Sequence, residues 1–162
     1  MAYPRTRLLA ASFIVLFLLA TLANAEEVQP VKPSAEDKCP VCGMFVAKYP
    51  DWVGEIIFKD GSVFFFDGAK DLFKYYFNLK KYNPKRDKSD IAAIYVTEYY
   101  DVDFIDAHNA YYVIGSDVYG PMGRELVPLT TKSDAEEFTR DHKGKETLTF
   151  KDVTPALIQS LE

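Results

Sequence analysis

The chain has 162 residues and a formal net charge of -5, and 15% of its residues are aromatic. This length fits one ordinary domain or two very small ones packed together, and the aromatic content is high enough to fill a core of that size. The acidic charge disfavours nucleic acid as a partner, and two cysteines are too few for a disulfide-stapled scaffold.

The first 25 residues have the pattern of a secretory signal peptide. Arg5 and Arg7 form a positively charged start, residues 8–22 are an almost unbroken apolar run, and an A-x-A cleavage site ends at Ala25. The apolar run is shorter than the roughly 20 residues that span a bilayer. We therefore expect residues 1–25 to be cleaved and the protein to be exported, to the periplasm or another compartment outside the cytoplasm. Retention of the segment as an uncleaved anchor is the alternative.

Residues 26–38 are predicted to form a flexible leader. They contain two prolines and scattered charges but little apolar content. Cleavage of the signal segment removes two arginines and no acid, so the exported chain is more acidic than the full sequence. The folded part is then expected to begin near residue 39.

Residues 39–100 have the pattern of a first ββαβ unit. Asp60-Gly61 is a residue pair that favours a two-residue type I′ hairpin turn. Asp67 is suited to cap a helix that continues to about residue 77, in which aromatic and apolar residues recur at helical spacing and are expected to face the core. The three predicted strands are residues 52–59, 62–66 and 91–99.

The second part of the chain repeats this order of elements. A glycine-punctuated loop covers residues 115–123, and Ser133-Asp134-Ala135-Glu136 fits a capping box that opens a second helix. That helix is predicted to end near His142, with Gly144 as its stop. Thr154-Pro155 marks a short final helix. The predicted strands are residues 103–107, 111–114, 125–129 and 145–150.

The succession of strand, strand, helix and strand thus occurs twice, although the two copies share little residue identity. We therefore predict an α+β fold of two small ββαβ units, the first in residues 39–100 and the second in residues 101–162. The second unit includes the Gly120-Pro121-Met122-Gly123 loop and the final helix.

Both cysteines of the chain lie in the segment Cys39-Pro40-Val41-Cys42-Gly43-Met44. Two thiols in C-x-x-C spacing on one turn can close a structural disulfide, carry out thiol exchange or chelate a soft metal ion. Export permits the disulfide. Thiol exchange of the thioredoxin kind places the first thiol at a helix N-terminus, and residues 43–47 have no convincing helical face. These observations leave all three uses open.

Three other residues are candidates to complete a metal site with the cysteines. Met44 follows Cys42 by two positions, and Met122 stands in a glycine-rich loop, where a core methionine is not expected. His142 is the third, although a histidine near a helix C-terminus also interacts favourably with the helix dipole. His108 lies in a polar segment between strands and is expected to be a turn residue.

The types of these side chains favour copper over zinc. A zinc finger uses two closely spaced histidines, whereas His108 and His142 are 34 positions apart. Methionine is also foreign to zinc sites. Thiolate, thioether and imidazole together suit monovalent copper, a soft ion that accepts two to four such donors.

Four segments of the chain, taken together, form a specific pattern. They are Asp37-Lys38-Cys39-Pro40-Val41-Cys42-Gly43-Met44, Ile105-Asp106-Ala107 leading into Ala110-Tyr111-Tyr112-Val113-Ile114-Gly115, Gly120-Pro121-Met122-Gly123, and Asp141-His142-Lys143-Gly144. Their joint order resembles the NosL family, whose members are exported copper-binding accessory proteins of nitrous oxide reductase. The resemblance extends from about residue 37 to residue 150.

The resemblance implies a fold of two ββαβ units, similar to the metal-binding part of organomercurial lyase. It also implies delivery of monovalent copper, Cu(I), without catalysis. The partner would be a client cuproenzyme such as nitrous oxide reductase, or its assembly machinery. Carried over position by position, the implied copper ligands are Cys39, Cys42, Met44, Met122 and His142.

Two differences from the family pattern bear on location and geometry. Family members are commonly lipoproteins, whereas this chain has no cysteine near its predicted cleavage site, so membrane association stays open. His142-Lys143-Gly144 stands where the family tends to have a histidine followed by two glycines.

Two other classes of function compete with a copper chaperone. One is a thiol-disulfide oxidoreductase or reductant that acts on the thiols of copper proteins. The other is a structural module in which Cys39 and Cys42 form an inert disulfide.

Overall fold

The computed structural model describes residues 28–162. The predicted signal segment, residues 1–25, lies outside the described residues, as do the first two residues of the predicted leader. Within the described part of the chain, no helix is long and apolar enough to cross a membrane.

Short strands and helices alternate along the chain. The strands are β1 (Gly54–Phe58), β2 (Val63–Phe66), β3 (Ile91–Thr97), β4 (Phe104–Asp106), β5 (Tyr111–Ile114), β6 (Tyr119–Gly120), β7 (Gly123–Arg124), β8 (Val127–Leu129) and β9 (Glu146–Thr149). The helices are α1 (Ala69–Phe77), α2 (Leu79–Tyr82), α3 (Lys132–Asp141) and α4 (Pro155–Ser160). Single turns of 3-10 helix cover Val46–Lys48, Pro50–Trp52 and Lys88–Asp90.

The longer strands form two antiparallel sheets. One sheet has the order β2-β1-β3-β4 and the other has the order β8-β5-β9, while β6 and β7 form a separate hairpin. In the four-stranded sheet, β1 lies between β2 and β3, and in the three-stranded sheet, β5 lies between β8 and β9. In each sheet the main elements therefore follow the chain order strand, strand, helix, strand. The predicted α+β fold with two ββαβ successions is therefore confirmed.

Strand β4 and helix α4 connect the two halves of the molecule. β4 pairs with β3 of the four-stranded sheet, although it belongs to the second predicted unit. α4 packs against α1, and the Lys70 ammonium of α1 donates to the carbonyl of Leu161 just beyond α4, at 3.5 Å. The division at residue 100 stays a prediction about the repeat, since the chain makes contacts across it.

The hairpin of β1 and β2 differs from the predicted two-residue turn. The N–H of Gly61 donates to the carbonyl of Phe58, and the N–H of Phe58 donates to the carbonyl of Ser62, both at 2.9 Å. Gly61 has a left-handed conformation with φ of 84°. A type I turn followed by a left-handed glycine is a common three-residue hairpin loop, so Asp60-Gly61 occupies the end of the loop.

The two helices of the second half have caps supplied by threonine. Thr131 accepts from the N–H of Asp134 at 3.1 Å and caps α3, two positions before the predicted Ser133. Both T-x-x-D and S-x-x-E fit the capping template, so the local pattern does not distinguish them. Thr154 caps α4 as predicted, by accepting from the N–H of Leu157 at 3.2 Å.

Helix α3 ends as predicted, but the glycine after it has a different role. His142 is the C-cap, and Lys143 adopts the left-handed conformation with φ of 56°. A Cβ at Gly144 would lie 2.5 Å from a methyl carbon of Val113. Gly144 therefore allows the chain to pass close to β5, while the left-handed position itself is occupied by lysine.

One hydrophobic core joins both sheets through α1. The ring of Phe73 lies 5.3 Å from the ring of Tyr112 in β5 and 4.9 Å from that of Phe150 after β9. On the other side, Tyr75 lies 5.2 Å from Phe66 in β2. The aromatic residues of this helix are core residues, as the sequence predicts, and they bind the two halves to each other.

The described part of the leader lies against the four-stranded sheet. The N–H of Val31 donates to both carboxylate oxygens of Glu55, at 3.0 and 3.1 Å, and the Tyr95 hydroxyl donates to the carbonyl of Val28. Glu55 is fully buried in β1, and desolvation raises its pKa to about 7. Flexibility of the leader stays a prediction, and these contacts anchor its end to the sheet.

Candidate metal centre

The C-x-x-C motif lies on a closed loop between the leader and the first 3-10 turn. The N–H of Cys39 donates to the carbonyl of Met44, and the N–H of Gly43 donates to the carbonyl of Cys39, both at 2.9 Å. Gly43 is left-handed, with φ of 81°, which a residue with a side chain rarely adopts. A bridge between Lys38 and Phe45 closes the loop at its base. This loop brings the two thiols to one side of the chain.

The opposite wall of the site is the start of α1. Sequence reasoning assigned Asp67 as the cap of this helix, but that prediction is wrong. The N-cap is Gly68, which has no capping side chain, and Asp67 lies one position earlier, directly after β2. Asp71 lies in the first turn of the helix, and its carboxylate and that of Asp67 both contact the thiols.

Two thiols and two carboxylates meet in this space. The Cys42 thiol donates to Oδ1 of Asp67 at 3.1 Å, and the Cys39 thiol donates to Oδ2 of Asp71 at 3.4 Å. The four ligand atoms all lie within 4.8 Å of one another. Within residues 28–162, this is the one group of three or more histidine, cysteine, aspartate or glutamate side chains with metal-binding spacing.

A buried oxygen of Asp67 has no hydrogen-bond partner. This atom is Oδ2, and it is the one such buried side-chain oxygen or nitrogen in the described part of the chain. An unpaired carboxylate oxygen in the interior costs free energy, because it has lost water and gained no donor. An unpaired carboxylate oxygen beside two thiols is able to accept a cation or a proton.

Burial raises the pKa of both thiols. Cys39 is 2% exposed, and desolvation raises its pKa far above the usual range. Desolvation also raises the pKa of the half-buried Cys42 to about 12, and the hydrogen bond to Asp67 acts in the same direction. The pKa of Asp71 is raised by desolvation as well. Both cysteines are free thiols in the structure, and near neutral pH they keep their protons.

Comparison with known proteins gives one family for nearly the whole described chain. The sequence model of the NosL family matches residues 30–158. The chain belongs to the NosL family. The resemblance drawn from the sequence motifs is therefore confirmed.

Relatives within the NosL family include proteins named for copper. The copper-binding lipoprotein NosL of Stutzerimonas stutzeri is 31% identical, over 90% of this chain and 79% of the relative. The crystal structure of the copper chaperone NosL from Shewanella denitrificans has a TM-score of 0.67 and 27% identity, over 79% of this chain and 97% of that one. The solution structure of apo-NosL from Achromobacter cycloclastes has a TM-score of 0.45 and 26% identity, over 65% of this chain and 87% of that one. The implied likeness to organomercurial lyase stays a prediction.

The two methionines predicted as NosL ligands lie on different elements. Met44 is partly buried at the end of the cysteine loop. Met122 is 45% exposed at the tip of the β6-β7 hairpin, and its carbonyl accepts from the ammonium of Lys70 at 2.8 Å. Because Lys70 is the neighbour of Asp71 in α1, the hairpin lies against the same end of the helix as the thiols. Ligation by Met44 and Met122 stays a prediction.

The predicted ligand His142 has contacts of its own outside the cluster of thiols and carboxylates. Its Nδ1 lies 3.3 Å from Oδ1 of Asp117, and its ring lies 4.5 Å from Phe138 and 5.8 Å from Tyr99. Ligation by His142 stays a prediction. His108, expected as a turn residue, lies in the turn after β4 and rests on Phe150 at 4.2 Å between ring centres.

Sequence reasoning missed the two carboxylates of the site. Asp67 was assigned to capping, a common role for aspartate at a helix start, and Asp71 was not singled out. Asp67 lies before the N-cap, outside the helical repeat, so the spacing of the two acids in the sequence did not indicate that they would meet.

Proposed function

We propose that this protein is an exported copper chaperone that binds Cu(I) and delivers it to a cuproenzyme outside the cytoplasm. The observation that carries the proposal is the meeting of the Cys39 and Cys42 thiols with two carboxylates within 4.8 Å. Relatives named as a copper-binding lipoprotein and a copper chaperone support the choice of ion and the absence of a catalytic role. Export is supported by the signal-peptide pattern and by the relative that is a lipoprotein.

The thiols are the primary ligands in this proposal. Cu(I) is soft and prefers thiolate and thioether sulfur, whereas carboxylate oxygen suits harder ions. Cys39 and Cys42 hold the ion, and Met122, Met44 and His142 are the candidates for a further donor. A soft site with two or three ligands suits transfer, because a ligand of the partner protein can enter before the first ligand leaves.

The carboxylates accept the protons that the thiols lose when copper binds. Each thiol must lose its proton before it binds the ion as a thiolate. Oδ1 of Asp67 and Oδ2 of Asp71 already accept the two S–H groups, so they are in position to receive these protons and pass them on to the solvent. The negative charge of the carboxylates also attracts a cation into a partly buried site.

The thiol chemistry favours metal binding over the competing thiol-exchange function. A thiol that attacks disulfides has a lowered pKa, usually at a helix N-terminus. Here the pKa of Cys42 is raised to about 12, and the thiols lie on a loop. The client implied by the family resemblance is nitrous oxide reductase, and we propose it as the recipient of the copper.

A titration of the reduced mature protein with Cu(I), in competition with a chelator, tests the proposal. Wild type should bind copper far more tightly than a small-molecule thiol, and Cys42→Ser should lose most of that affinity. His142→Asn and His108→Asn form a matched pair, since only His142 is a predicted ligand. Wild-type binding no better than that of the thiol would refute the chaperone function.

Delivery requires a separate experiment. Copper-loaded protein is mixed with copper-free nitrous oxide reductase, and enzyme-bound copper is measured after the two are separated. Transfer should be faster from the protein than from an equal concentration of the copper-chelator complex. Turnover of a disulfide substrate without metal would instead support the oxidoreductase alternative.

A further inference from the structure

The start of α1 is capped by a residue from the other half of the chain. Oε1 of Glu125 accepts from the N–H of Lys70 at 2.5 Å, although the two residues are 55 positions apart. The same oxygen accepts from the N–H of Leu126 at 2.9 Å. Because the N-cap Gly68 has no side chain, the Glu125 carboxylate supplies the acceptor that an N-cap residue normally provides.

Two glycines make room for this contact. A Cβ at Gly68 would lie 2.3 Å from Oε2 of Glu125, and a Cβ at Gly120 would lie 3.1 Å from its Cγ. Glu125 is 3% exposed, so its carboxylate is enclosed between the helix start and the β6-β7 hairpin. The lack of a Cβ at both positions leaves the space that the Glu125 side chain occupies.

The side chain of Lys70 connects α1 to the β6-β7 hairpin. Its ammonium donates to the carbonyl of Met122 at 2.8 Å, and the Lys70 side chain is itself buried. A buried ammonium needs such acceptors, because it has lost its water. The backbone of Lys70 is therefore held by Glu125, while its side chain holds the loop that carries Met122.

We propose that Glu125 and Lys70 are positioning residues for the metal centre. Glu125 caps α1 and thereby leaves Asp67 free to accept from Cys42, and Lys70 fixes the hairpin with Met122 at the same helix end. Without Glu125, we expect the Asp67 carboxylate, one position before the N-cap, to turn from the thiol toward the uncapped N–H groups of α1. The part of this proposal that concerns copper rests on the proposed chaperone function.

Amide hydrogen exchange of the metal-free, reduced protein tests the positioning without copper. Lys70→Met removes the ammonium donor and keeps an unbranched side chain, and Lys70→Arg restores a donor. Lys74→Met is the matched control, since Lys74 lies one turn later on α1 and pairs with the exposed Glu162. Exchange in residues 119–124 should rise about tenfold in Lys70→Met, consistent with one lost charged hydrogen bond.

The expected change in hydrogen exchange depends on which lysine of α1 is replaced. Lys74→Met should leave exchange in the hairpin unchanged, and Lys70→Arg should return it close to the wild-type rate. Equal exchange in Lys70→Met and Lys74→Met would overturn the role of Lys70. For the cap, Glu125→Leu should speed exchange of the Lys70 amide, and Glu125→Gln, whose amide oxygen can still accept, should do so much less.

The copper titration adds a second readout. Lys70→Met should weaken Cu(I) binding about tenfold and Lys74→Met less than about threefold. If Lys70 acts through Met122, adding Lys70→Met to Met122→Leu should cause little further loss. Full additivity of the two losses would overturn the coupling. Absence of copper binding in wild type would refute the chaperone function, while the exchange rates would still decide the positioning roles.

Discussion

The thiol of Cys42 lies 3.1 Å from Oδ1 of Asp67, although 25 positions separate the two residues. The hydrogen bond stabilises the protonated thiol, and the carboxylate charge opposes formation of a thiolate beside it. In the metal-free protein, burial is the main cause of the raised pKa of Cys42, and Asp67 adds to it, so the thiol is kept protonated and unreactive. When a cation enters, the same carboxylate is next to the proton that must leave.

Replacement of Asp67 by asparagine should make Cys42 more reactive. The loss of the negative charge lowers the pKa of Cys42, and each unit of pKa change is about a tenfold change in thiolate at a given pH. We expect Asp67→Asn to be alkylated about three to ten times faster than wild type at pH 8. Mass spectrometry of the modified peptide measures the rate, and Asp101→Asn is the control. A slower reaction in Asp67→Asn would contradict this role.

Copper affinity should rise steeply with pH. The pKa of both thiols is raised in the folded protein, so both are protonated at pH 6 to 8, and copper binding releases their protons. The dissociation constant for Cu(I) should fall about tenfold to a hundredfold per pH unit, for one or two protons released to the buffer. Competition titrations at three pH values measure this slope. A flat profile would indicate that the thiols are not the ligands.

The free energy of unfolding of the metal-free protein should fall as the pH rises from 5 to 8.5. Desolvation raises the folded-state pKa of Glu125 to about 8, from an ordinary value near 4.5. The fold therefore favours the protonated carboxyl, and this stability is present below pH 4.5 and is lost through pH 8. Glu125→Gln should flatten the decline and melt several degrees higher than wild type at pH 8.5. Parallel melting curves for the two proteins across the pH range would contradict the shift.

Val102 offers a test of backbone strain away from the metal centre. It is 44% exposed and has φ of 57°, a left-handed conformation that is unfavourable for a β-branched residue. Val102→Gly should raise the free energy of unfolding by about 0.5–1 kcal/mol, after the larger chain entropy of glycine is counted. Val102→Ala is the control, because alanine keeps most of the strain. Chemical denaturation measures both, and equal stability of the two variants would refute the effect.

Local patterns were sufficient for much of the fold. Strand β5 was predicted with its observed bounds, and Thr154-Pro155 marked the start of α4, because strand periodicity and cap chemistry act over a few residues. The cap of α3 was misplaced by two positions because Thr131 and Ser133 both fit the same template. In each of these cases, the residues that determine the element or its cap lie within a few positions of one another.

Local patterns in the sequence identified only part of the candidate metal centre. C-x-x-C spacing identified Cys39 and Cys42, because ligand type and spacing are local properties. The role of Asp67 depends on Glu125, which caps α1 from 55 positions after Lys70. Because Glu125 supplies the cap that Asp67 would otherwise provide, the sequence around Asp67 does not indicate that its carboxylate lies beside Cys42. Assignment of Asp67 and Asp71 therefore required the tertiary structure.

The different capping of the two main helices has a consequence for the order in which the protein matures. α3 carries its own cap, whereas α1, the helix beside the thiols, depends on Glu125. A nascent chain that has emerged only as far as residue 118 contains both thiols and both carboxylates, yet it lacks the acceptor that orders the helix start. The helix start beside the thiols is therefore capped only after the C-terminal half has been synthesised.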